Sequence, residues 1–289
     1  MKNLSKIFLI PFVFFLLIAW GCSEKEETPI KGVLRCYVDE SLYNLIKAER
    51  DTFVVLYPQS KIELVSVTAR EGIAAVLNGE TKLFISSRNL NDEEKTFVDK
   101  TKSDVHAFKF CFDAVVPIVR ESESTYKIKE TDIKDILSGN AKTFKIFVPE
   151  RNSGVYEYLK EKVRDNKELV NVSIVKNEAD VIEKIKSTKR SLGFVGLNSL
   201  ANIKGVKILE VGKSVKGRDE ALYYYPYVAY LVSENYPLLR LTSIFVNDYG
   251  GVASGFATFL TSNKGQEIVA KNNLGPATVP VKMVETNRR

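Results

Sequence analysis

The chain has 289 residues, of which 45% are hydrophobic and 27% charged, with a formal charge of +6 at pH 7. This is ordinary globular composition, and it lacks the basic blocks that mark a nucleic-acid-binding arm. One histidine, His106, and three widely spaced cysteines, Cys22, Cys36 and Cys111, exclude the usual zinc spacings. No cofactor motif is present either.

The first residues carry a signal of their own. Lys2 and Lys6 precede an almost unbroken apolar run from Ile7 to Ala19. A short positive segment followed by such a run is an export signal, and the run is too short for a good spanning helix. It ends Ala19-Trp20-Gly21-Cys22, a small residue before a cysteine. This resembles the bacterial lipoprotein cleavage box, although Trp20 is bulkier than usual at its position. The expectation is removal of residues 1–21 and acylation of Cys22, with an uncleaved anchor helix as the alternative. Residues 22–31, acidic and polar from Ser23 to Pro29, read as a tether. Either way the protein is expected outside the cytoplasm on a bacterial membrane, periplasmic or at the cell surface.

From residue 32 strands and helices alternate. Val33–Val38 has strand length, Ser41 can cap a helix through Val54, and Pro58 breaks that helix. Lys61–Val67 alternates like a strand, Glu71–Gly79 reads as a helix, and Leu83–Ile85 as a buried strand. Asn91-Asp-Glu-Glu opens another helix with acids at its positive end. Phe108–Val119 is long enough to cross from one lobe to another. Helices over 131–138, 155–165 and 178–186 then alternate with strands over 145–148, 172–175, 192–195 and 206–211. Val228–Val232 reads as a second crossing, and helices over 251–262 and 264–271 end the chain. The pattern predicts an α/β fold of two lobes, each a mostly parallel sheet flanked by helices, hinged on two crossing strands. The expected partition is 32–115 for lobe 1, 116–225 for lobe 2 and 226–289 for the return to lobe 1. Cys36 and Cys111 fall in strand-like runs and read as buried thiols, a disulfide being the alternative.

Several stretches together resemble the phosphate-binding proteins of bacterial ABC phosphate importers, within the type II periplasmic binding superfamily. They are Glu71-Gly-Ile-Ala-Ala-Val-Leu-Asn-Gly79, Phe84-Ile-Ser-Ser-Arg-Asn-Leu90, Phe112–Val119, Thr131–Gly139, Asn152-Ser-Gly154, Ser191–Gly196, Gly255–Gln266 and Gly275-Pro-Ala277. The resemblance implies capture of a small oxyanion, phosphate before others, and delivery to the membrane subunits of an importer by a monomeric receptor. It also implies a ligand set. Ser41, Thr68, Arg70, Ser86, Ser87, Arg88, Arg151, Asn152, Ser153 and Gly154 fall at helix starts and at an arginine turn, where unpaired amides and a guanidinium suit an anion. Departures stand beside the likeness. Lys82 replaces the usual aspartate, Val155 the threonine after Ser-Gly, and Pro149 the usual arginine, for which Arg151 can substitute.

Plain alternatives remain at each place. Ser41 and Ser153 can be simple helix caps, Ser86-Ser87-Arg88 an ordinary strand end, Lys82 a solvated edge residue, and Tyr223–Tyr227 a cover over a core edge. No nucleophile elbow, metal cluster or partnered histidine points to an enzyme. The other function class is a structural or sensory lipoprotein of the same fold that acts through a protein partner.

Overall fold

The computed structural model describes residues 27–215 and 220–280. The leader, Cys22 and the first part of the tether lie outside the described residues.

Thirteen strands and nine α-helices follow one another among these residues. The first lobe begins with β1 (Gly32–Asp39), α1 (Tyr43–Leu56), β2 (Ser60–Val67), α2 (Ala69–Leu77), β3 (Leu83–Ser86) and α3 (Asp92–Thr101). β2 and β3 both pair with β1 in parallel, as short strand–helix–strand crossovers require. Then β4 (His106–Arg120) runs 15 residues without interruption, about 50 Å of extended chain. It begins in one core and ends in another.

The second lobe holds β5 (Lys127–Lys129), α4 (Glu130–Leu137), β6 (Lys145–Val148), α5 (Gly154–Tyr158), β7 (Val172–Ile174), α6 (Glu178–Ser187) and β8 (Ser191–Gly196). A π-helical turn, Leu159–Val163, continues α5. β9 (Val206–Ile208), β10 (Glu210–Lys213), β11 (Leu222–Tyr224) and α7 (Val228–Val232) lead back to β12 (Leu239–Val246). The chain closes with α8 (Gly251–Thr261), α9 (Asn263–Lys271) and β13 (Gly275–Pro276). The main sheet runs β2-β1-β3-β12-β4-β8-β6-β7, and β5, β10 and β11 form a small separate sheet.

Two large hydrophobic clusters explain this layout. One joins Leu34, Cys36 and Val38 of β1 to Leu45, Ile46 and Phe53 of α1 and to Phe256 and Leu260 of α8. The alternate residues of a strand meet one stripe of each helix, the periods expected of half-buried elements. The other joins Val116 and Ile118 of β4 to Ile146, Leu192 and Phe194, covered by Ile133 and Leu137 of α4 and Val181 and Ile185 of α6. β4 supplies Phe110 and Cys111 to the first cluster and Ala114 to Val119 to the second. Among the described residues no helix is long and apolar enough to cross a membrane.

Three expectations change. Val228–Val232 is not a crossing strand but the short helix α7. The strand that returns to the first lobe is β12, which pairs antiparallel with both β3 and β4. The run 206–211 is split into β9 and β10. Cys36 and Cys111 are free and fully buried, and His106 is exposed at the start of β4.

Candidate functional site

The two lobes touch at the carboxyl ends of β1 and β3, where open α/β sheets place their ligands. Asp39 ends β1 and turns its carboxylate back on the chain. Oδ1 accepts from the Ser41 amide at 3.0 Å and from the Ser41 hydroxyl at 2.5 Å. Oδ2 accepts from the Ser87 hydroxyl, just past β3, at 2.8 Å. All three residues are buried. The first residue of α5, Gly154, comes from the other lobe and lies directly against them. A Cβ placed on it would fall 1.8 Å from Ser87 Oγ and 3.2 Å from Asp39 Oδ2. Only a glycine permits that approach.

Arg240 of β12 forms the floor. Its Nη2 donates to Ser41 Oγ at 2.9 Å and to Asp113 Oδ2 of β4 at 2.6 Å. Burial works to lower the Arg240 pKa, but Asp113, Glu178 and Asp39 together raise it more, so the guanidinium stays charged. Burial raises the Asp113 carboxyl by more than Arg240 lowers it. Gly196, at the end of β8, closes the floor. Its amide donates to Glu178 Oε2 at 2.8 Å, and a Cβ there would meet Arg240 Nη2 at 2.5 Å and Ser41 Cβ at 2.8 Å.

A second strap joins the lobes at the rim. The Arg70 amide, at the start of α2, donates to the Asn152 carbonyl at 3.2 Å. Arg88 forks onto Glu94 of its own lobe at 2.7 and 2.8 Å and also pairs with Glu157 of α5. Burial tends to lower the Arg88 pKa, and the two carboxylates raise it further than burial lowers it.

The expected ligand residues therefore separate into groups. Ser41, Ser87 and Gly154 meet around one carboxylate. Ser41 is not the cap of its helix, because the Asp39 side chain takes that role and a 3-10 turn over Glu40–Leu42 precedes α1. Thr68 and Glu71 form a reciprocal capping box on α2, and Ser153 Oγ caps α5 by accepting from the Tyr156 amide. Ser86 is buried, and its hydroxyl accepts from the Arg88 amide. The side chains of Arg70 and Arg151 are more than half exposed, Arg151 facing Glu168 at 3.8 Å. Lys82 is half exposed and pairs with Asp248 at 3.0 Å.

Sequence reasoning missed Asp39, Asp113, Glu178 and Arg240. Asp39 had a signal, an acid closing an apolar strand just ahead of a helix. Asp113 and Arg240 had another, single charges inside the apolar runs Phe112–Val119 and Leu239–Val246. Their pairing is a matter of register, since Arg240 is the partner of Asp113 across β12 and β4. Among the described residues no three His, Cys, Asp or Glu side chains are placed to hold a metal ion.

An α/β protein of two lobes, with backbone amides and hydroxyls gathered where the lobes meet, is a solute-binding protein in architecture. The family model of the PBP superfamily domain matches residues 23–264, and the chain belongs to that superfamily. Among its relatives is the phosphate-binding protein PstS of Borreliella burgdorferi, 24% identical over 293 residues that span 92% of this chain and 96% of the relative. The phosphate-binding protein PstS of Staphylococcus epidermidis is 24% identical over 254 residues, 82% of this chain and 77% of the relative. A Clostridium perfringens substrate-binding protein assigned to a phosphate ABC transporter, crystallised with phosphate, superposes with a TM-score of 0.72. It is 18% identical, over 85% of this chain and all of the other, and this likeness shows a shared fold.

Proposed function

We propose that this protein is a lipid-anchored extracytoplasmic receptor that captures a small oxyanion, phosphate above others, and hands it to the membrane subunits of an ABC importer. The observation that carries the reading is the grip on Asp39. Two hydroxyls and a helix-start amide hold one oxyanion of the chain itself, with a buried guanidinium behind them. Donors so arranged suit the oxygens of phosphate for the same reasons. The names of the relatives support the choice of anion. Asp39 also offers from β1 a carboxylate like the one that the family places at position 82, able to accept the proton of hydrogen phosphate. That proton distinguishes hydrogen phosphate from fully ionised sulfate.

The lobe partition at 115/116 and 225/226 belongs to this reading, as do binding without catalysis, the monomeric state and the lipid on Cys22. The Arg70–Asn152 and Arg88–Glu157 contacts are then the latch of the closed form. Asp39 also supports one alternative. A site saturated by its own carboxylate suits a lipoprotein that works through a protein partner and needs no free anion.

Isothermal titration of the purified mature chain tests the proposal. Phosphate should bind one to one, at about micromolar affinity or tighter, and sulfate far more weakly. Asp39→Asn should narrow that difference. No heat with phosphate, sulfate or related oxyanions would overturn the reading and favour the alternative.

A further inference from the structure

Beside the Asp39 cluster opens a cavity of about 410 Å³, walled by Glu40, Tyr43, Asn44, Asn177, Glu178 and Ser199 among others. It shares a wall with the anion site. Glu40 directly precedes Ser41, and the Cβ position of Gly196 lies 2.8 Å from Ser41 Cβ and 3.4 Å from Glu178 Oε2. Glu178 is only 3% exposed. One of its oxygens takes the Gly196 amide, while the other, Oε1, is buried and meets no donor in full hydrogen-bond geometry, the Ser199 hydroxyl lying close to the carboxylate. Glu40 Oε1 is buried and unpartnered in the same way. A buried carboxylate oxygen without a donor is a standing cost that calls for a reason.

We propose that this cavity is a subsite for a positively charged group, so that the ligand of the whole site is a short aminoalkyl phosphate or phosphonate. Its phosphoryl end sits at Ser41 and Ser87 and its ammonium between Glu40 and Glu178. The inference rests on the anion-capture reading above and names the substrate class.

Charge balance leads to the same answer. Asp39, Glu40, Asp113 and Glu178 are set around the buried cation Arg240. A phosphate dianion alone would disfavour ionisation of these carboxyls further, whereas a zwitterion brings its own cation to the acidic side. Burial first, and then neighbouring carboxylates, push Glu40 up to about 9. Glu178 is pushed up to about 7, with burial again the chief cause. An ammonium beside them reverses both effects. It has three donors and no acceptor, matching oxygens that lack only donors, and the ring of Tyr43 on the wall suits a neighbouring cation.

The test compares 2-aminoethyl phosphate with ethyl phosphate on the mature chain by calorimetry, with inorganic phosphate as the reference. The amine should bind about tenfold tighter than its isostere, the effect of one charge-assisted hydrogen bond. Glu178→Gln and, separately, Glu40→Gln should each shrink that ratio. Two variants guard against one that fails to fold, and the wild-type comparison needs neither. If phosphate binds but the ratio is near one, the inference is wrong and the capture reading stands. Binding of none of the three ligands overturns both.

Discussion

Arg240 and Asp113 face each other across β12 and β4 with Nη2 2.6 Å from Oδ2, and neither has appreciable contact with solvent. The pair lies where β4 passes from one core to the other, and it holds the Ser41 hydroxyl in place. Removing one partner leaves a buried charge. Asp113→Ala should therefore lower stability by about 3–5 kcal/mol, read from urea denaturation. Exchanging both together for apolar residues, Asp113→Leu with Arg240→Met, should cost less than the single change while removing anion binding. A single variant as stable as the parent would show that the pair is not what joins the cores.

Gly154 leaves no room for a side chain. In Gly154→Ala the new methyl group displaces the Ser87 hydroxyl, which sits 1.8 Å from the Cβ position. Either Ser87 turns away from Asp39 or α5 retreats from the first lobe. Phosphate affinity should fall by about tenfold or more for the loss of one hydrogen bond to a charged group. The stability of each core should change little. Calorimetry and small-angle scattering, which reports the spread of the lobes, check both parts.

Glu49 lies inside the first core on α1 with no exposed surface, and neither of its oxygens has a partner. Burial pushes its pKa up to about 9, against about 4.3 for the unfolded chain. The folded form thus holds a proton that the unfolded form releases as pH rises above that value. Its contribution is most favourable below the unfolded pKa and is lost as pH climbs through the folded one. Glu49→Gln should leave the melting temperature nearly unchanged near pH 4 and raise it by several degrees near pH 9. Equal shifts at both values would mean that Glu49 is ionised when folded.

Cys36 and Cys111 are wholly buried and unpaired, and burial pushes both thiols far above the ordinary range. In a Cys22→Ser background, neither should react with a thiol reagent in native buffer, and both should react on unfolding. A protein that shows no free thiol even when unfolded would carry a disulfide instead.

Much of the first lobe was legible because its elements follow local rules. β1, β2 and β3 alternate or run apolar between turn residues, and the Asn91 and Thr68 caps mark their helices by side chain alone. Val228–Val232 misled because a short apolar run has no period to separate strand from helix. β12 went unread for a related reason. A charged residue at 240 breaks the apolar pattern, and only Asp113 opposite makes that charge tolerable.

The amino-acid sequence by itself determined the order of most elements and the glycine and serine positions that touch between the lobes, and it carries the leader pattern on which the export proposal rests. These are local properties, set by periodicity, capping and the absence of a side chain. The tertiary structure alone decided the charge of the site. Asp39, Glu40, Asp113, Glu178 and Arg240 are far apart in the chain or read as ordinary polar residues. Burial and strand register bring them to one place, where low solvent access turns scattered charges into a single coupled group.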